Sequence, residues 1–272
     1  DYLEVVGRGR PLSVTPLLVV AVPTTAGTGA EVTRNAVLSV PNQEVKVSLR
    51  SVGMLPKLAL VDPALTLDCP PALTAATGFD ALAQVIEPFV SNAASPMTDA
   101  LCRHAIPLAA RALPRAWRHG TDRAARSDMA QVSLFGGLAL ANAKLGAVHG
   151  VAGPFGGMFG APHGAVCAAL LGPALELNVA ALRARAPGSE ALQRLSELAE
   201  LLTGSSGAAP EEAANWCYAL RRDLGVAGLD ALGYRAERRD ELVVKAMAAS
   251  SMKGNPLPLE PAEIEALIER AR

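Results

Sequence analysis

The chain has 272 residues, of which half are hydrophobic but only 4% are aromatic, and its formal net charge at pH 7 is −1. A chain of this length forms one large domain or two ordinary ones, and folding buries roughly 70 to 75 percent of the unfolded surface, so a core forms without disulfides. The near-neutral charge and the scattered basic residues exclude a typical nucleic-acid-binding protein. A core built mainly from Ala, Leu and Val favours closely packed helices.

The cysteines are four in number and lie at wide, irregular spacings without a CxxC pair: Cys69, Cys102, Cys167 and Cys217. This pattern indicates buried thiols in a reducing compartment rather than disulfides. No apolar run reaches the roughly 18 residues that cross a bilayer, and the first twelve residues show no basic-then-apolar signal pattern. We therefore predict a soluble, cytoplasmic protein that does not use a membrane as a partner.

The first seventy residues contain short apolar runs separated by turns, a pattern that predicts strands. The run at 17–22, LLVVAV, lies between Pro16 and Pro23 and has the composition of an interior strand of a parallel sheet. Similar runs predict further strands at 36–40, 46–49 and 58–61.

Residues 23–33, PTTAGTGAEVT, follow the first predicted strand and are rich in threonine and glycine. Small residues let backbone N–H groups and hydroxyls approach an anion or a ribose. Such turns also occur without a ligand, so the motif alone leaves both interpretations open. Lys46 opens a predicted strand and is either a solvated charge at the sheet edge or a contact to a cofactor's phosphate or ribose.

Helical spacing dominates after Pro70 and Pro71. It predicts helices at 74–87, 95–113, 123–145 and 164–178, then three amphipathic helices after residue 187 and a final helix at the C-terminal end. Pro88 is expected to end or bend the first of these. Each residue of the Gly136-Gly137 pair costs its helix roughly 1 kcal/mol in propensity, so we expect a close packing contact there.

Two of the four histidines, His149 and His163, stand in one apolar, glycine-rich stretch. A buried imidazole needs partners for its ring nitrogens, and these are either polar groups of the core or a metal ion. Asp80 and Gln84 stand four residues apart in a helical pattern and therefore project from one face. Together the four side chains predict a site for a divalent ion such as iron(II), zinc or manganese.

Five separated segments carry a family resemblance: PTTAGTGAEVT at 23–33, LALVDPALT at 58–66, TAATGFDALAQVIE at 74–87, SNAASPMTDAL at 91–101 and LGAVHGVAGPFGGMFGAPHG at 145–164. In their order and spacing these resemble the iron-containing, group III alcohol dehydrogenases of the dehydroquinate synthase-like superfamily. The resemblance implies a partial α/β dinucleotide-binding domain over 1–69. It implies an all-helical, metal-binding and catalytic domain over 70–272, with the active site in the cleft between the two.

The resemblance also implies a metal-dependent, NAD(P)-linked oxidoreductase that interconverts an alcohol and an aldehyde or ketone by hydride transfer. The metal, Fe²⁺ or Zn²⁺, would act as a Lewis acid on the substrate oxygen and would be held by Asp80, Gln84, His149 and His163. The cofactor, NAD or NADP, would contact Thr24, Thr25, Gly27, Thr28, Lys46 and Leu65. The expected partners are a small alcohol or aldehyde substrate and, in a homodimer, a second copy of the chain.

Three departures from the family pattern stand out. Gln84 replaces a histidine ligand, and its oxygen is a weaker donor than an imidazole. Gly153 replaces a histidine that the family often places four residues after the first loop histidine. The glycine-rich pyrophosphate loop of the family would lie ahead of Asp1, so a fragment of a longer protein or a truncated relative is expected.

These departures keep an alternative open, namely a degenerate or metal-independent homologue with weak or no dehydrogenase activity. A maleylacetate reductase-like or glycerol dehydrogenase-like substrate belongs to the same alternative. A dehydroquinate synthase-like lyase would need several basic residues for a phosphorylated substrate, and the histidine stretch contains none. A plain helical scaffold with incidental histidines would require coincidence across five segments.

Overall fold

The computed structural model describes residues 1–272 and places the strands in the first sixty residues, as predicted. Strands β1 and β4 pair in parallel, whereas β2 and β3 form an antiparallel hairpin in which Ser39 is opposite Lys46. The strands are β1 Val20–Ala21, β2 Asn35–Val40, β3 Val45–Arg50 and β4 Leu58–Ala59. The N-terminal part of the chain therefore contributes two small sheets.

The predicted interior strand at 17–22 is shorter and more exposed than expected. Only Val20–Ala21 is a strand, and its single neighbour is β4. Leu17 is 89% exposed and Leu18 is 81% exposed, so the interior position predicted for this run is wrong. The apolar composition correctly indicated a parallel strand, but within this chain nothing packs over these side chains.

Nine α-helices follow: α1 Pro71–Val90, α2 Pro96–Arg118, α3 Arg123–Asn142, α4 Ala147–Phe159, α5 His163–Arg185, α6 Glu190–Thr203, α7 Pro210–Asp223, α8 Arg239–Ala248 and α9 Pro261–Ala271. Local signals account for several of their starts. Ser95 accepts a hydrogen bond from the backbone N–H of Thr98, and Pro96 occupies the first turn of α2. Pro88 does not end α1 at once, because that helix continues to Val90.

Helices α1 and α5 form the centre of the core. Every residue over 78–90 of α1 and over 166–175 of α5 is buried. The two helices lie close together where α5 begins, since a Cβ atom on Gly164 would lie only 2.2 Å from the Ala76 carbonyl oxygen. This contact brings the start of α5 against the N-terminal third of α1.

The predicted contact at Gly136-Gly137 is confirmed. A Cβ atom on Gly137 would lie 2.3 Å from the backbone oxygen of Gly29, in the threonine-rich loop, and one on Gly136 would lie 3.2 Å from Gln84 Cβ. The absence of side chains on α3 therefore lets α1 and the loop at 23–33 pack against its backbone.

One helix is long and apolar enough to cross a membrane by composition, contrary to the expectation from the sequence. This is α5, with a mean hydropathy of 1.8 over its most apolar window. Because 83% of that window is buried inside the protein, the apolar residues of α5 are used for packing against other helices.

Candidate metal centre

Three side chains from α1, α4 and α5 meet at one point. His149 Nε2 lies 3.3 Å from Asp80 Oδ1, and His163 Nε2 lies 3.8 Å from the same oxygen. Asp80 and His149 are buried, whereas the His163 side chain keeps 36% of its exposure. The cluster is therefore held inside the fold and is open to solvent on its His163 side.

The start of α4 is held by two side chains from distant parts of the chain. The Val148 N–H donates to Glu87 Oε1 at 2.7 Å, and the Ala147 N–H donates to Asn255 Oδ1 at 3.2 Å. These bonds satisfy N–H groups that have no partner within the first turn of a helix. Asn255 is itself fixed, because its Nδ2 donates to Asn178 Oδ1 at 2.7 Å. The position of His149, the third residue of α4, follows from this network.

Glu87 also orients the His149 ring. Its Oε2 lies 2.5 Å from His149 Nδ1, so that Nδ1 donates to the carboxylate and Nε2 faces Asp80. A carboxylate behind a ligating histidine fixes the tautomer and raises the basicity of the ring. Glu87 is the kind of outer partner that metal-binding histidines in proteins have.

The charges in the cluster favour a cation. Burial by itself would lower the pKa of His149, but the Glu87 and Asp80 carboxylates outweigh burial and raise this pKa to about 10. Burial alone would raise the pKa of Asp80, yet its bond to His149 and the charge of His163 bring it below the ordinary value. Burial lowers the pKa of His163, and positive charge on His149 and Lys46 lowers it further. A divalent ion bound here would displace the His149 proton, as metal binding to histidine requires.

A fourth side chain of the cluster is Cys167. Its Sγ lies 3.7 Å from His163 Nε2 and 3.9 Å from Asp80 Oδ1, and it is fully enclosed by the core. One ligand atom from each of Asp80, His149, His163 and Cys167 falls within 4.8 Å of all the others. Burial, together with the negative charge of Asp80, raises the pKa of the Cys167 thiol well above its ordinary value.

Gln84 lies beside the cluster but presents its nitrogen to it. Gln84 Nε2 donates to Asp80 Oδ1 and to the Gly27 carbonyl oxygen, each at 3.1 Å. Exchanging the two amide atoms would place the oxygen against two acceptors, so the hydrogen-bond network determines the orientation. Gln84 Oε1 is buried without any hydrogen-bond partner.

The donor set fits a divalent ion. When two nitrogen or oxygen atoms bind one tetrahedral zinc ion, the two atoms lie about 3.3 Å from each other. A sulfur ligand of the same ion lies about 3.6 Å from each of them. The separations of 3.3, 3.8 and 3.7 Å found here are close to those values. The buried Gln84 Oε1 next to the cluster has no hydrogen-bond partner, which is a second indication that a polar ligand binds here.

The threonine-rich loop reaches the cluster through one contact. Gly27 is buried against Thr77 of α1, and its carbonyl oxygen accepts the bond from Gln84 already described. Beside it, Thr24 and Thr28 are exposed and Thr25 is half-buried. The backbone of the loop therefore contacts Gln84 beside the side-chain cluster, and the threonine hydroxyl groups of the loop stay accessible.

Of the other predicted cofactor contacts, Lys46 lies near the cluster and Leu65 lies at the surface. Lys46 Nζ lies 3.0 Å from where a Cβ atom on Gly156 would stand, so the ammonium group rests on α4. Leu65 belongs to a short helical turn, Pro63–Thr66, and is 44% exposed. The position that departs from the family pattern, Gly153, has open space beside it.

Sequence reasoning did not identify Glu87, Asn255 or Cys167. Glu87 follows Asp80 by seven residues and Cys167 follows His163 by four, which are spacings that place each pair on one helix face. Those spacings were a usable signal. No signal in the sequence pointed to Asn255, because its contact with α4 joins residues 108 positions apart.

Comparison with known proteins identifies the relatives of this arrangement. A family description of the C-terminal part of the Fe-containing alcohol dehydrogenases matches residues 74–272, and one of iron-containing alcohol dehydrogenase matches residues 1–63. Alcohol dehydrogenase 4 of Saccharomyces cerevisiae is 36% identical over 252 residues, which cover 92% of this chain and 64% of that protein. The chain thus spans about two thirds or less of such a relative.

Solved structures show the same similarity. The alcohol dehydrogenase from Oenococcus oeni superposes with a TM-score of 0.87 at 34% identity, over 96% of this chain and 67% of that one. Sulfoacetaldehyde reductase from Bifidobacterium kashiwanohense, in complex with NAD⁺, superposes with a TM-score of 0.83 at 30% identity. The superposition covers 99% of this chain and 68% of the reductase. Because the family match includes Asp80, Gln84, His149 and His163 and extends over most of the chain, this protein belongs to the iron-containing alcohol dehydrogenase family.

Proposed function

We propose that this chain is a metal-dependent, NAD(P)-linked oxidoreductase that interconverts an alcohol and an aldehyde or ketone by hydride transfer. The observation that carries the proposal is the meeting of Asp80, His149 and His163 beside the threonine-rich loop. Family membership and relatives named as alcohol dehydrogenases support a small alcohol or aldehyde as the substrate.

We assign the metal, Fe²⁺ or Zn²⁺, to Asp80, His149 and His163. Asp80 contributes negative charge, and the two imidazoles contribute donors whose directions are set by Glu87 and by the start of α5. Gln84 is the fourth residue that the family pattern places here. It anchors Asp80 through its amide nitrogen, and its unpaired oxygen leaves a further donor next to the site.

We assign the nicotinamide cofactor to the loop at 23–33 and its surroundings. Accessible hydroxyl groups and small residues make the loop suited to a ribose or phosphate, and the residues concerned are Thr24, Thr25, Gly27, Thr28, Lys46 and Leu65. The NAD⁺ complex of the sulfoacetaldehyde reductase favours NAD over NADP. In this assignment, 1–69 belong to a cofactor-binding domain and 70–272 form the helical metal-binding domain.

When bound, the ion supplies Lewis acidity to the substrate oxygen and the nicotinamide supplies the hydride chemistry. The chain itself holds and orients the reactants. The cluster opens on the His163 side, so a substrate reaches the site there, and the Lys46 ammonium group adds positive charge near its oxygen. Gly153 offers no imidazole, so any proton relay at that position passes through water in the open space beside it.

We also propose that the protein is a cytoplasmic homodimer. Four free cysteines support a reducing compartment, and the burial of α5 inside the protein supports a location outside the membrane. The family resemblance supports the dimer, and light scattering of the purified protein would measure it.

The Glu87→Gln variant is expected to bind the divalent ion roughly 10- to 100-fold more weakly than the wild type, the usual cost of losing an outer partner. The amide would have to present its oxygen to both the Val148 N–H and the His149 Nδ1–H, and a single oxygen does not reach both as the two carboxylate oxygens do. Titration with a chelator, followed by metal analysis, measures the change. Glu197→Gln is the matched control, because that carboxylate pairs with Arg103 at the surface. Unchanged affinity in Glu87→Gln would contradict the orienting role.

The proposed function is tested on the full chain by elemental analysis and by oxidation of NADH and NADPH with a panel of short aldehydes. We expect about one Fe²⁺ or Zn²⁺ per chain, and activity that a chelator removes and the ion restores. Protein that retains no divalent ion and turns over no aldehyde would overturn the proposal in favour of a degenerate homologue. Activity that survives complete metal removal would show a metal-independent enzyme instead.

A further inference from the structure

We propose that Cys167 is a ligand of the divalent ion, so that the fourth donor is a thiolate sulfur in place of an oxygen of Gln84. This inference rests on the proposed metal site and changes its chemistry. It would make the donor set one carboxylate, two imidazoles and one thiolate, drawn from Asp80, His149, His163 and Cys167.

The first support is the position of the sulfur. Cys167 and His163 are one helical turn apart on α5, so both side chains project from the same face toward α1. The distances from Sγ are 3.7 Å to His163 Nε2 and 3.9 Å to Asp80 Oδ1. Both are within about 0.3 Å of the separation of about 3.6 Å expected for a sulfur and a nitrogen or oxygen on one tetrahedral zinc ion.

The second support is the orientation of Gln84. Its amide nitrogen holds Asp80 and Gly27, and turning the oxygen toward Asp80 would lose both hydrogen bonds and set two acceptors against it. Gln84 is also kept in place by Gly136 of α3, whose missing Cβ would lie 3.2 Å from Gln84 Cβ. Gln84 therefore positions Asp80 through its amide nitrogen, and its amide oxygen does not point toward the Asp80 carboxylate.

The third support is the absence of any other use for the Cys167 thiol. It has no disulfide partner, and its neighbours within hydrogen-bond reach are two proposed ligands of the ion. On binding, the thiol would release its proton to solvent and the sulfur would coordinate as a thiolate. A thiolate is a soft donor, so the site should favour Zn²⁺ over Fe²⁺ more strongly than an all nitrogen and oxygen set does.

X-ray absorption at the zinc edge tests the proposal directly. Zinc-loaded wild-type protein is expected to show one sulfur neighbour at about 2.3 Å, with the remaining neighbours at about 2.0 to 2.2 Å. Cys167→Ser should lose the sulfur neighbour. It should also bind zinc more weakly by more than the roughly 10- to 100-fold that loss of an outer partner costs. Cys217→Ser is the matched control, since this thiol is equally buried and lies on α7, away from the cluster.

The outcomes separate this inference from the proposed function. Zinc bound with only nitrogen and oxygen neighbours in the wild-type protein would overturn the role of Cys167 and leave the oxidoreductase proposal standing. Wild-type protein that retains neither Zn²⁺ nor Fe²⁺ and turns over no aldehyde would overturn both. The wild-type spectrum decides the question even if Cys167→Ser does not fold, and cobalt-loaded wild-type protein gives a second measurement through its thiolate-to-metal absorption in the near ultraviolet.

Discussion

His149→Ala is expected to lose the divalent ion and aldehyde reduction together. The imidazole stands between two buried carboxylates, 2.5 Å from Glu87 and 3.3 Å from Asp80. Its removal deletes one ligand and leaves those carboxylates without the positively charged or metal-bound group between them. Breaking a buried charge pair in this way costs about 3 to 5 kcal/mol of folding free energy. The variant should therefore also unfold at a lower temperature than the wild type.

Metal analysis after dialysis, NADH oxidation with an aldehyde and thermal unfolding measure the three effects in one preparation. His104→Ala is the matched control, because His104 lies exposed on α2 and its ring contacts Phe135 in a tilted arrangement with the ring centroids 5.6 Å apart. The control should keep both ion and activity. A folded His149→Ala protein with full metal content and full activity would remove the proposed mechanism.

Gly137→Ala is expected to displace the threonine-rich loop and to lower the free energy of unfolding by about 1 to 3 kcal/mol, the usual cost of overpacking. The new methyl group would lie 2.3 Å from the Gly29 backbone oxygen and 2.8 Å from Val32 Cγ2. Because the nearest contacted atom belongs to the backbone, the clash is relieved only if the backbone of α3 or of the loop moves. Because the same loop carries the proposed cofactor contacts, NADH should bind more weakly as well.

Thermal unfolding and NADH fluorescence titration measure these two effects. Gly153→Ala is the matched control for stability, because it is the same substitution inside a helix but has open space beside it. There the gain in helix propensity is opposed by the contact of the new methyl group with the ring of the following Pro154, so the free energy of unfolding should change by less than in Gly137→Ala. Equal stability of the two variants would show that the contact between α3 and the loop is not tight.

The position of most strands and helices followed from local signals in the sequence, but the helical conformation of α4, Ala147–Phe159, was not predicted. Ser95 with Pro96 marks the start of α2, and the glycine pair in α3 correctly predicts a close contact. The prediction of an interior strand at 17–22 was wrong for a physical reason. Apolar composition shows what a segment can bury, but whether another element covers it depends on the rest of the fold, and here Leu17 and Leu18 stay exposed.

For the candidate site, the residues of the family pattern were recognisable in the sequence, and Asp80, His149 and His163 do converge. Other features depended on the tertiary structure. The direction of the Gln84 amide is set by the Gly27 carbonyl, 57 residues away, and the anchoring of α4 by Asn255 spans 108 residues.

The sequence alone determined most of the helical segments, because these depend on neighbours within one or two helical turns, and it showed that the core is made of small apolar side chains and which residue types are available to a cation. It did not predict α4, the helix that carries His149. Only the crossing of α1, α4 and α5 decided which donors face one another. Glu87 became the partner of His149, and Cys167 joined the cluster, because close packing brought together side chains whose spacing in the chain does not specify their distance in space.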